Sequence, residues 1–158
     1  MLKFNLSLVF LLVLSLSGCG ILPFETAIKE NHFRFENFKR DMDDDLEYVY
    51  LMCSHKKPIH WQQPKQYESG KHNLWVMVET FQRDIPISYK TAVVNFDVDL
   101  QADKSYMLNR KIVKRKALLW IQEVDTGLIV SDVLSAELKH PISYDFLEKR
   151  KQCKTGTV

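Results

Sequence analysis

Three histidines, His55, His60 and His72, are the only imidazoles close enough in sequence to suggest a shared site, and zinc binding is the first chemistry to test on them. Their intervals match neither a zinc ribbon nor the two-histidine helix of metalloproteases, and no cysteine pair accompanies them. Loop histidines near a strand end fit the spacing better. The acidic run Asp41, Asp43, Asp44 and Asp45 superficially suggests a calcium loop. Its sixth position is Leu46 where the turn needs glycine, and its twelfth is Met52 where the ion needs a bidentate glutamate. A solvated loop therefore accounts for it. Asp97, Asp99 and Asp103 invite a paired-carboxylate reading, but the first two alternate with apolar residues and so belong to the outward face of a strand. Trp61 beside His60, in a polar stretch containing Pro64, is the tryptophan expected to remain partly exposed. Trp61, His60 and His72 are the residues expected to touch any small ligand. No serine stands in a nucleophile elbow, and five glycines in the whole chain form no phosphate-cradling loop.

The cysteines lead further. Ahead of Cys19, residues 4–16 are apolar apart from Asn5, Ser7 and Ser15, with Lys3 in front. That is the length and polarity order of a secretory signal and too short for a comfortable membrane span. Leu16-Ser17-Gly18-Cys19 resembles the lipobox of bacterial lipoproteins. The resemblance implies cleavage after residue 18, a diacylglycerol thioether on Cys19, and usually an acylated amino terminus. Two or three acyl chains hold a protein at a membrane effectively permanently. Aspartate after the cysteine tends to retain such proteins at an inner membrane. Gly20 stands here instead, which implies an outer-membrane address in a double-membraned host. On this reading only Cys53 and Cys153 remain as thiols, in an oxidising compartment, and a disulfide between them is expected. The alternative leaves Cys53 as a small buried hydrophobe and Cys153 as a free thiol.

The elements that must position these residues read mostly as strands. Residues 91–100 alternate cleanly, with Ala92, Val94, Phe96, Val98 and Leu100 facing one way and Asn95, Asp97 and Asp99 the other. Residues 46–53 are apolar on both faces and predict a central strand. Residues 73–81 place Leu74, Val76 and Val78 opposite Trp75 and Met77. Residues 106–112 and 118–124 follow, with 128–134 as a hairpin partner beyond a turn at 125–127. Residues 33–38 fit a strand, and a helix from about residue 26 fits nearly as well. Turn residues recur about every ten positions, as in an antiparallel sandwich or barrel. Gly70 and Gly127 fall where turns need positive φ. The expected core is Leu74, Trp75, Val76, Val94, Phe96, Val98, Trp120 and Ile121. Residues 141–152 predict a short helix capped by Ser143, with Tyr144 and Leu147 on one face.

Three stretches, residues 67–76, 102–108 and 119–130, resemble those of PEGA-like and related small immunoglobulin-like envelope domains. The resemblance implies a β-sandwich lipoprotein and brings no catalytic residue with it. The expected architecture is a mostly β chain: a small antiparallel β-sandwich of about seven strands with a short C-terminal helix. Residues 1–18 are its signal, 19–30 its lipidated tether and 31–158 its single domain.

A net charge of +2 falls almost to neutral without Lys3, so no bias points to nucleic acid. The densest basic run, Arg110, Lys111, Lys114, Arg115 and Lys116, reads as a polar strand end with a loop, or as a contact for anionic headgroups. The expected function is a non-enzymatic binding or structural module, anchored through Cys19, for a protein or envelope polymer. The alternative is a small periplasmic enzyme or ligand carrier using the His55, His60 and His72 region. No cofactor is implied.

Overall fold

The structure is a computed structural model that describes residues 27–141 and 145–158. The signal, the Cys19 anchor, the first part of the tether, and Ser143 and Tyr144 lie outside the described residues. The strands are β1 (His32–Glu36), β2 (Phe38–Asp41), β3 (Asp45–Leu51), β4 (Cys53–Ser54), β5 (Lys57–Pro58), β6 (Lys65–Glu68), β7 (Gly70–Gln82), β8 (Lys90–Leu100), β9 (Ser105–Val113), β10 (Lys116–Glu123) and β11 (Leu134–Glu137). One helix, α1 (Asp145–Thr155), follows them. The chain is mostly β, as its alternation requires. Strands outnumber the expected seven because β4, β5 and other short pieces carry too little alternation to be read individually.

Two sheets face each other. The first has strand order β11-β10-β9-β1-β6 and the second β2-β3-β7-β8. Neighbours run antiparallel except β1 and β9, which run parallel with Phe35 opposite Tyr106. The chain crosses from one sheet to the other at Asn37. Its side-chain oxygen accepts from the Leu51 N–H at 3.0 Å, and its amide donates to the Gln62 carbonyl at 2.8 Å. Both bonds satisfy backbone groups that the crossover would otherwise leave unpaired.

Period-two alternation fills the space between the sheets. Leu74, Val76 and Val78 from β7 meet Val94, Phe96 and Val98 from β8 on the second sheet's inner face. Phe33, Phe35, Leu108, Leu119 and Ile121 cover them from the first. The second sheet is also covered on its outer side, where Tyr50, Met52, Cys53, Met77 and Cys153 form a separate apolar cluster. A strand buried on both faces loses its alternation, which explains the uniformly apolar run in β3.

Four expectations are corrected. Trp75 lies on the outer face of the second sheet, against α1, with its Nε1–H donating to Thr155 Oγ1 at 3.0 Å. Trp120 is half-buried and faces away from the sandwich, its indole N–H donating to Gln122 Oε1 at 3.0 Å. Neither ring packs between the sheets: each is one residue out of phase with the inward set. The partner of β10 is β11, with Lys116 opposite Glu137 and Leu119 opposite Leu134, so of the expected partner 128–134 only Leu134 lies in the paired strand and the rest adds an isolated bridge from Ile129 to Gln122. The helix runs later than expected, to Thr155, and Leu147 is exposed on it. Gly70 and Gly127 do take positive φ, at 124° and 69°.

Candidate functional site

Residues 52–61 leave β3 and fold back over the second sheet through the small β4–β5 hairpin. Cys53 opens β4 near the start of this stretch and is bonded to Cys153 of α1, with Cα atoms 5.4 Å apart. The expected disulfide is therefore present. Both cysteines are fully buried, and Cys153 is the only buried residue of the helix. The segment after α1 is stitched to β7 through Thr157. Thr157 N–H donates to the Asn73 carbonyl at 3.0 Å, and Asn73 N–H donates to Thr157 Oγ1 at 3.1 Å. These bonds take up the edge of β7 that β3 leaves open beyond Leu51.

Between α1 and β7 lies a cleft of about 170 Å³ lined by Tyr50, Met52, His60, Glu79, Tyr89 and Phe146, among others. Its polar centre is Glu79. Tyr50 donates to Glu79 Oε1 at 2.8 Å and Tyr89 donates to the same oxygen at 2.6 Å. The Tyr50 hydroxyl also lies 3.1 Å from Met77 Sδ. A hydroxyl has one proton, and the carboxylate is the stronger acceptor. Burial foremost, then the neighbouring Glu79, pushes both tyrosines well above the ordinary phenol range. They stay protonated and act as donors, so the cluster can hold a polar group in place and offers no phenolate nucleophile.

The histidines do not meet. His55 is exposed in the β4–β5 turn at φ 50°, its Nδ1 3.1 Å from Ser54 Oγ. His60 is exposed at the rim of the Glu79 cleft. His72 belongs to another surface, lined by Lys71, Asn73, Asp97, Asp99 and Thr157. Its Nε2–H donates to the Glu68 carbonyl at 2.8 Å, and its Nδ1 lies 3.1 Å from Thr157 Oγ1. The ring stands edge-on to Phe33 with centroids 5.2 Å apart. Every polar atom of that imidazole is engaged in holding β7 to its surroundings. Trp61 is half-buried with its ring 6.2 Å from that of Tyr48, and its buried indole nitrogen has no hydrogen-bond partner among the described residues. Among the described residues, no group of three or more His, Cys, Asp or Glu side chains could hold a metal ion.

The remaining charged motifs have structural partners. Asp41 pairs with Arg83 at 2.5 Å and with Lys39 at 3.3 Å, and the Arg83 hydrogen bond holds its carboxyl below the usual range. Arg110 leaves the basic run altogether. It faces inward to Glu47, stacks over the Phe38 ring at 4.2 Å, and is joined there by Arg40, 2.5 Å from Glu47 Oε1. Lys111, Lys114, Arg115 and Lys116 are exposed at the β9–β10 turn, with Arg115 3.4 Å from Glu137. Sequence reading missed Glu47, Glu79 and Tyr89. Glu47 was detectable, because it is a charge at an inward position of a strand whose next inward residues are Val49 and Leu51. Tyr89 sits in a loop and offered no pattern. Among the described residues, no helix is long and apolar enough to cross a membrane. Comparison with protein-family models, curated proteins and solved structures finds no match to this chain.

Proposed function

We propose that this chain is a lipid-anchored protein of the bacterial envelope whose β-sandwich serves as a non-enzymatic binding or structural module. The observation that carries this reading is the bond between Cys53 and Cys153. Structural disulfides persist in oxidising compartments and are rare in the cytosol, which agrees with export. The thiol left over is Cys19, at the end of the lipobox-like Leu16-Ser17-Gly18-Cys19. Gly20 favours the outer membrane in a double-membraned host, with the domain on the periplasmic face or at the surface. A binding role is supported by the scatter of His55, His60 and His72 over separate surfaces, where a reactive site of histidines would bring them together in one concave space.

Anchoring is tested by Cys19→Ser. The wild-type chain should incorporate labelled palmitate and sediment with outer membranes, and the variant should do neither. Palmitate entering the Cys19→Ser protein would overturn the reading.

A further inference from the structure

We propose that the free edge of β8 is a docking strand for an extended, basic segment of a protein partner, which would join the second sheet as its fifth strand. β8 is the last strand of that sheet. Its outer edge is covered at one end only, where the N–H and carbonyl of Thr91 both bond to Lys139, at 2.8 and 3.0 Å. The register with β7 runs without a bulge from Thr80↔Lys90 to Gly70↔Leu100. Backbone groups alternate in direction along a strand, so those of Val93, Asn95, Asp97 and Asp99 point the same way as those of Thr91. Among the described residues nothing bonds to them. The other edges of the two large sheets, β2, β6 and β11, are four residues each, whereas this edge belongs to an 11-residue strand and is unpaired beyond Thr91 among the described residues.

The charge beside this edge selects the occupant. Asp97 and Asp99 are exposed on the outer face of β8, flanking a groove of about 450 Å³ that also touches Lys71, His72 and Thr157. Asp97 Oδ1 accepts from Asn73 Nδ2 at 2.7 Å. Asp99 has Lys71 across the β7–β8 pair and makes no hydrogen bond or ion pair among the described residues. A pairing strand with lysine or arginine at alternate positions would set its cations against these carboxylates, and opposite charges in cross-strand pairs are favourable. A second copy of this chain would lay its own two carboxylates alongside, and like charges disfavour that ribbon. Outward charges are a common guard on sheet edges against self-pairing, and here they leave the edge selective for a basic strand.

This site rests on the binding-module reading above and not on the anchor. The test uses the full chain in detergent with a fluorescent peptide, Thr-Lys-Val-Lys-Val-Lys-Thr, and its counterpart with glutamate at each lysine. Anisotropy should report binding of the lysine peptide, with the glutamate peptide at least about tenfold weaker from two charge pairs. Asp99→Pro removes an outward N–H that the β7 ladder does not use, and should reduce binding of the lysine peptide. The doubly substituted Asp97→Lys, Asp99→Lys chain, whose changes lie on an exposed face, should prefer the glutamate peptide and decides the matter if the proline variant does not fold. Absence of lysine-peptide binding, or binding indifferent to both variants, would overturn the proposal. So would a wild-type dimer that Asp99→Pro converts to monomers, since a second copy would then occupy the edge. Peptide binding by a chain that fails the palmitate test would remove the anchor and leave the edge site standing.

Discussion

Glu47 is the residue on which the meeting of the two sheets depends at one end of the sandwich. It is 6% exposed, and it faces Arg40 of its own sheet and Arg110 of the opposite one. The Arg110 side chain is itself only 13% exposed. Charges this far from water are tolerated only as partners, and removing one strands the other. Glu47→Ala should therefore cost about 3–5 kcal/mol, most of it from the uncompensated Arg110, because Arg40 is half in water and well screened. Chemical denaturation measures the loss. Replacing the pair together, Glu47→Leu with Arg110→Met, should recover most of the stability, since an apolar pair of similar volume avoids desolvating two ions. If the double variant is no better than the single, Arg110 contributes through its contact with Phe38 rather than through its charge.

At the scale of the element, strand phase determines what a side chain contributes. In β10 the inward residues Ala117, Leu119 and Ile121 are all at 0% exposure, while Trp120 between the last two turns outward. Ile121→Ala should cost about 2–5 kcal/mol through lost burial and a cavity. Trp120→Ala removes a much larger side chain and should cost less than Ile121→Ala. Matched denaturation curves check the order, and the reverse order would place Trp120 in the core. The end of β10 carries a pH-dependent tie. Glu123 accepts from the Thr126 hydroxyl at 2.8 Å and pairs with Lys104 at 3.0 Å. Thr126 first, then Lys104, holds the Glu123 carboxyl below its usual value of 4.5. A carboxylate whose folded pKa is lowered stabilises the protein above its unfolded pKa, and the benefit disappears as pH falls through the folded one. Glu123→Gln should thus lower the melting temperature at neutral pH, with the gap to wild type closing as pH falls below 4.5 and through the lowered Glu123 pKa. A gap that persists in acid would assign the effect to packing.

Taken whole, the molecule has a third layer that it fastens covalently. Helix α1 is polar, with Phe146 and Leu147 exposed at 60% and 57%, and little but Cys153 docks it on the second sheet. The disulfide closes a loop with a sequence separation of 100. Removing it as Cys53→Ala, Cys153→Ala should cost about 2–5 kcal/mol and release α1 from the sheet. Urea midpoints give the first quantity, and amide exchange in residues 145–158 gives the second. A helix as protected in the double variant as in wild type would show that Trp75–Thr155 and Asn73–Thr157 suffice to hold it.

The sequence by itself determined the strands with uninterrupted alternation, because burial of one face with period two is a local property of the chain. β8 and the inward residues Leu74, Val76 and Val78 of β7 were legible for that reason. So were the glycines of two turns, where only positive φ fits, and the pairing of the two cysteines left after Cys19. What required the tertiary structure was everything that depends on a distant neighbour. Nothing in residues 45–51 says that a helix from residue 145 onward will cover their second face, or that β1 will run parallel to β9. Strand phase relative to the opposite sheet moved Trp75 and Trp120 out of the core and turned Arg110 into it. The open edge of β8 is likewise a property of sheet order and is invisible in a strand read alone. The three histidines were near in sequence and apart in space, because the β4–β5 hairpin and the start of β7 carry them to different surfaces.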